Sequence, residues 1–269
     1  MNDIIHLASG DDIYYRFIEG NTTQPCLVFL HEGLGCTAMW RDFPDRLCQA
    51  TRCPSLVYDR SGYGKSSPLQ GPRTVRYLHD YALNELPAVL LKTIGDRPFV
   101  LIGHSDGGSI SLIFGAEKPA NLKAIITEAA HVFVEPETIR GIEAAVDAYE
   151  RGHFRGLCKY HGEKTDILFK AWADTWRSEP FRSWNIEDLL PSIACPLLVL
   201  QGSRDEYGTD RQVEAIVAKA SGRAVPVFLE NCGHAPHRQQ PDKVLQILTD
   251  YLRATVKSAG PMAERSLTG

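Results

Sequence analysis

With 269 residues, 43% of them hydrophobic, the chain can bury a substantial core; this excludes wholesale disorder and fits one large domain, or one domain with a modest insertion. A formal net charge of -4 gives no reason to expect nucleic acid or an anionic membrane surface as a partner. No apolar run approaches the length of a membrane span, and the first residues lack a basic region followed by a long apolar one, so a cytoplasmic protein is expected.

Taken in order, residues 3 to 7 and 12 to 18 are β-rich runs separated by Ser-Gly-Asp-Asp and read as a hairpin. The short apolar runs Cys26 to Leu30, Ser55 to Tyr58, Phe99 to Ile102, Lys123 to Thr127, Pro196 to Gln201 and Val225 to Glu230 follow, most of them separated by helix-length segments. That is the βαβ rhythm of a mostly parallel sheet. Helices are predicted over 38–50, 74–94, 106–118, 209–221 and 241–256. The rhythm breaks between Ala130 and Ser192, where 137–151, 153–161 and 165–178 have helical periodicity. The predicted organisation is a core of residues 1–130 and 192–256, a helical cap over 131–191, and a flexible tail over 257–269 that holds Ser-Ala-Gly-Pro and no periodicity. Seven scattered cysteines without a Cys-x-x-Cys argue against a disulfide framework. Cys232-x-His234 has no companion pair at zinc spacing, so no metal is expected.

Chemistry concentrates in Gly103-His-Ser-Asp-Gly107, where an apolar strand, a sharp turn and a helix meet at Ser105. A Gly-x-Ser-x-Gly elbow lifts a serine hydroxyl above the sheet edge, and its glycines avoid collisions where strand and helix nearly touch. A serine hydroxyl is a poor nucleophile without a base and an acid that orients the base. Asp205 follows one strand and His234 the next, each beyond the C-terminal end of a parallel strand, on the edge that carries Ser105. Rivals exist: His237 for the base, and Glu206, Asp210 or Glu128 for the acid.

In its order of motifs the chain resembles α/β-hydrolase-fold enzymes over roughly its whole length. The motifs are His31-Glu-Gly-Leu-Gly35, Asp59-Arg-Ser-Gly-Tyr-Gly-Lys-Ser66, the elbow, Gly202-Ser-Arg-Asp205 and Gly233-His234. The resemblance implies a mostly parallel eight-stranded sheet flanked by helices with a small helical cap. It implies Ser105 as nucleophile, His234 as general base then acid, and Asp205 as the carboxylate that fixes the imidazole's tautomer. The oxyanion would be held by the backbone N–H of Asp106 and of Gly33 or, second, Leu34. Glu32 stands where His-Gly-Gly versions of the family carry glycine.

The Asp106 carboxylate is expected to turn away from the oxyanion. His31 and His104 are expected to hold loop and elbow by hydrogen bonds, and Asp59 to Ser66 to form a turn with Arg60 and Lys65 solvated. Trp172, Trp176, Trp184 and Phe133 are candidates to line an apolar pocket, although about half of the insertion's aromatics should fill its own core. The expected reaction is hydrolysis of a small, fairly apolar ester or lactone, with a small-molecule substrate, no nucleic-acid or membrane partner and no cofactor. Carbon-carbon bond hydrolysis and perhydrolysis would use the same residues, and a ligand-binding receptor could keep them idle.

Overall fold

The computed structural model describes residues 2–256. The tail expected over 257–269 lies outside the described residues. Eight strands form one sheet: β1 (Asn2–His6), β2 (Asp12–Ile18), β3 (Cys26–Leu30), β4 (Ser55–Tyr58), β5 (Phe99–His104), β6 (Leu122–Glu128), β7 (Leu197–Gly202) and β8 (Ala224–Leu229). Their order is β1-β2-β4-β3-β5-β6-β7-β8. The β1–β2 hairpin joins β4 antiparallel, and every pairing from β4 to β8 is parallel, as the sequence predicts.

Side chains alternate between the two faces of this sheet. In β3, Leu27 and Phe29 join the layer of α1 (Phe43–Thr51) and α11 (Pro241–Val256). Val28 and Leu30 join the opposite layer, with α2 (Tyr77–Asp80), α3 (Leu86–Thr93), α4 (Asp106–Ala116) and α9 (Asp210–Lys219). Helix α4 runs along the middle, with Asp106 to Gly115 all buried, so the serine at its head is anchored on every side. Pro226 in β8 is explained by position. Leu197 donates to the carbonyl of Arg223, so the odd-numbered residues of β8 address β7 and Pro226 turns its nitrogen outward from an edge strand.

Two predicted helices are interrupted. The 38–50 segment is a 3-10 turn (Thr37–Trp40) and then α1, separated where Arg41 takes a φ of 55° and Pro44 opens the new helix. The 74–94 segment widens into a π-helical turn (Tyr81–Glu85) before Pro87, with the Leu86 N–H reaching back to the Tyr81 carbonyl. Proline has no N–H and crowds the preceding turn, and the wider turn accommodates it.

Glu85, at the end of that π turn, accepts from the Ser61 N–H at 2.9 Å, while its other oxygen is buried without a partner. Burial pushes its carboxyl up to about 8, against the pull of the Ser61 N–H and Arg60. The folded-state value lies above the unfolded one, so this contribution to stability is present below the unfolded value and is lost as pH rises through about 8. Glu85→Gln, which keeps an acceptor for Ser61, is expected to remove that loss. In thermal melts between pH 5 and 9, the wild-type Tm should fall several degrees more than the variant's; parallel curves would contradict this.

Between β6 and β7 the chain forms α5 (Pro136–Glu150), α6 (Cys158–His161), α7 (Thr165–Arg177) and α8 (Glu179–Arg182). The stretch 153–161, predicted as one helix, is a 3-10 turn over Arg155–Leu157 followed by α6. Tyr149 of α5 stacks on Phe169 of α7 with ring centroids 3.8 Å apart. Trp172, Trp176, Phe181 and Trp184 belong to the same buried cluster as one face of the sheet, so these helices are packed onto the core rather than around a separate one.

Candidate active site

Strand β5 delivers Ser105 into a turn with φ 53° and ψ -118°, a conformation that an L-residue holds only under constraint. The constraint is steric. A Cβ on Gly103 would lie 2.2 Å from the Gly107 carbonyl oxygen, and one on Gly107 would lie 2.0 Å from that of Leu30. The Ser105 N–H is held by the Glu128 carbonyl at 2.8 Å.

The loops after β7 and β8 bring Asp205 and His234 to the same place. His234 Nε2 is 2.9 Å from Ser105 Oγ, and His234 Nδ1 is 2.8 and 2.9 Å from the two Asp205 oxygens. Burial would raise the Asp205 carboxyl, but the facing His234 and the Tyr207 N–H outweigh it and hold the carboxyl below its ordinary value. An ionised carboxylate only accepts, so Nδ1 carries the proton and Nε2 presents its lone pair to the serine.

The rivals are not part of this line of hydrogen bonds. His237, in α10 (Pro236–Gln239), gives both its backbone N–H and Nδ1–H to Glu128 Oε2, at 3.0 and 2.9 Å, and its ring centroid lies 4.3 Å from that of Trp40. Glu206 accepts from the His234 N–H at 3.2 Å, and Asp210 is exposed at the start of α9.

Gly33, Leu34 and Asp106 border the same cavity as Ser105. The Asp106 side chain is buried and turned into the protein, where it accepts from the Tyr77 hydroxyl at 2.9 Å; that hydroxyl accepts from Trp176 Nε1 at 2.7 Å. Arg60, expected in solvent, is fully buried. Its guanidinium donates to the carbonyls of His31 and Glu32 at 2.6 and 3.0 Å, lies 4.0 Å from Asp106, and packs on the rings of Tyr63 and Tyr81. These partners replace water, which is why the charge can leave the surface. Lys65 is exposed, over the ring of Tyr14.

His31 donates Nδ1–H to the Glu32 carbonyl and accepts the Arg60 N–H on Nε2; burial and the Arg60 charge hold it well below its ordinary value, hence neutral. His104 donates Nε2–H to the carbonyl of His234 at 2.6 Å, and its Nδ1 is 3.4 Å from Glu32. Burial alone would lower the His104 value, but Glu32 outweighs it and raises it. The elbow, the loop after β3 and the loop that carries His234 are thus tied together through one imidazole.

The cavity holds about 200 Å³ and is walled by Leu34, Met39, Ile142, Leu157, Trp172 and Trp176, among others. Trp184 and Phe133 do not line it. Trp184 stacks on Phe181 with ring centroids 5.5 Å apart, and Phe133 forms a β-bridge with Asn185. Residues the sequence reading missed include His131, whose ring borders His234, and Ile142 with Thr138 one turn before it on α5. The i, i+4 spacing of the latter pair was the available signal. Among the described residues no group of three or more His, Cys, Asp or Glu side chains could hold a metal ion, and no helix is long and apolar enough to cross a membrane.

Relatives agree with this geometry at the level of fold. A proline iminopeptidase of Thermoplasma volcanium is 23% identical, with 92% of this chain and 95% of that protein covered. A monoglyceride lipase of Mus musculus is 21% identical, with 96% and 93% covered. A thermophilic esterase from Thermogutta terrifontis superposes with a TM-score of 0.72 at 20% identity, with 95% and 99% covered. The sequence model described as "Alpha/beta hydrolase family" matches residues 27–247, a span that opens in β3 and closes in α11, and on that match, with the sheet order above, the chain belongs to the α/β-hydrolase family.

Proposed function

We propose that the protein is a serine hydrolase that cleaves a small, fairly apolar carboxylic ester or lactone through an acyl-enzyme on Ser105. The observation that carries this reading is the continuous line from Asp205 through His234 to Ser105 Oγ, which ends at the wall of the cavity. Ser105 Oγ bonds to the carbonyl carbon while its proton passes to His234 Nε2, and the carbonyl π electrons move onto oxygen. Backbone N–H groups of Asp106 and of Gly33 or Leu34 hold that oxyanion. As the tetrahedral species collapses, the alcohol oxygen leaves and takes the proton from His234. Water then repeats the sequence on the acyl-enzyme, releasing the acid and restoring the serine. The apolar walls support a fairly apolar acyl or alcohol group. The seven free thiols support a reducing, cytoplasmic setting.

The test is a panel of p-nitrophenyl esters of rising acyl length together with lactones, and an alkyl phosphonate followed by mass spectrometry of the adduct. Because its relatives include a peptidase and a lipase by name, proline p-nitroanilide and a monoacylglycerol belong in the panel. The expected result is ester turnover with a preference for short acyl chains, and one phosphonyl group on Ser105. No ester turnover and no adduct on that serine would sink the proposal.

A further inference from the structure

One wall of the cavity includes a tryptophan whose indole N–H has no hydrogen-bond partner among the described residues. Of the four tryptophans, Trp176 spends its Nε1–H on the Tyr77 hydroxyl, and those of Trp40 and Trp184 are sealed in the interior away from the cavity. Trp172 lines the cavity, and its Nε1–H has no partner among the described residues and is not wholly buried. The indole is placed with some care. Its ring packs edge-on against Phe169 and Tyr207, with centroids 5.7 and 6.4 Å away. One helical turn further along α7, Trp176 ties the helix through Tyr77 to the Asp106 carboxylate. The Trp172 ring is therefore registered against the head of α4.

Its N–H edge abuts Gly33. A Cβ built there would lie 2.5 Å from Nε1 and 2.6 Å from Cδ1 of Trp172, and 3.3 Å from Asp106 Oδ2. The space left by the missing side chain is occupied by the donor edge of the indole. So the donor edge of the indole lies against Gly33, on the side of the Asp106 carboxylate, in the wall of the cavity that Ser105 also borders.

We infer that Trp172 donates its indole N–H to the acyl oxygen of the substrate, so that a side chain from the helical insertion joins the two backbone N–H groups in holding the oxyanion. This rests on the hydrolase reading above and adds a catalytic residue to it. A neutral, pre-oriented donor in a poorly hydrated site stabilises charge where it develops, and removing one such donor costs on the order of 10²-fold in kcat. It also makes turnover depend on the seating of α7 over the elbow, since the donor arrives only with that helix.

The direct experiment replaces Trp172 with 3-(3-benzothienyl)alanine, which keeps the ring's shape and lacks the N–H. We expect kcat on a p-nitrophenyl ester to fall about 10²-fold with KM changed by less than about threefold. Affinity for a trifluoromethyl ketone, whose adduct with Ser105 carries an oxyanion, should fall by the same factor. A packing role would move the melting temperature rather than these two quantities in parallel.

In the unsubstituted protein, labelled with 15N at its indoles, the Trp172 N–H resonance should move downfield when the ketone adduct forms. Kinetics and ketone affinity within about twofold of wild type overturn the inference. An unmoved indole resonance does the same, and so does a loss confined to esters with poor leaving groups while ketone affinity holds. If the wild-type protein neither turns over esters nor forms the ketone adduct, the hydrolase reading falls and takes this inference with it.

Discussion

Ser105→Ala is expected to lower kcat on a p-nitrophenyl ester by about 10⁶-fold and Asp205→Asn by about 10⁴-fold, with both variants expected to fold as the wild type does. The first removes the atom that bonds to the carbonyl carbon. The second keeps every heavy-atom position and changes only which atoms carry protons. Both Asp205 oxygens already accept from the protein: Oδ1 from the Tyr207 N–H at 2.8 Å and Oδ2 from Gln201 Nε2 at 2.7 Å. The Gln201 amide also donates to the Gly208 carbonyl, at 3.2 Å, so it resists turning over.

An asparagine NH2 therefore faces a donor whichever way it is placed, and it no longer offers His234 Nδ1 two acceptors. The imidazole is released to the tautomer with its proton on Nε2, where it cannot accept from the serine. Steady-state kinetics with circular dichroism of each variant decide the matter. An Asp205→Asn enzyme within tenfold of wild type would falsify the role given to that carboxylate.

Arg60→Met is expected to be the most damaging change outside the relay. A buried guanidinium gives two hydrogen bonds to the carbonyls of His31 and Glu32 and faces Asp106, whose side chain is 1% exposed. Methionine fills most of the volume and supplies no donor. Two carbonyls of the loop after β3 and a buried carboxylate then lose their cation together, which costs about 3–5 kcal/mol by comparison with other broken buried pairs. The Asp59 carboxylate, which takes the Thr37 and Lys65 N–H groups, still holds the turn, so the damage should centre on the loop after β3.

Denaturant melts should show the lost stability. Kinetics on the folded fraction should show a fall in kcat larger than any rise in KM if the loop's N–H groups act on the transition state as proposed. A variant as stable as the wild type, with unchanged kcat, would contradict the clamp.

Much of the sheet was legible because its strands are short apolar runs separated by helix-length segments. Cys26–Leu30 and Ser55–Tyr58 emerge with the bounds their hydrophobicity suggests. The elbow was legible too, since few arrangements besides a strand-to-helix hairpin require glycine two places before and after a serine.

Arg60 was not. A guanidinium in a polar, glycine-rich turn looks like a solvated charge, and the carbonyls and carboxylate that satisfy it come from His31, Glu32 and Asp106, far off in sequence. The pocket wall was half legible for a related reason. Trp172 and Trp176 lie four apart on one face of α7, whereas Trp184 follows α8 and stacks on Phe181. Aromatic content says that a side chain will be buried, but which surface covers it depends on how the helices cross.

One proline at the border of the sheet bears on how the molecule behaves in a crowded solution. A strand from another molecule that tried to extend the sheet past β8 would need the outward donor of residue 226, and proline has none. The ladder would miss a rung in its middle, between the outward-facing residues 224 and 228, and unplanned growth into fibrous assemblies is discouraged at that margin without any added charge.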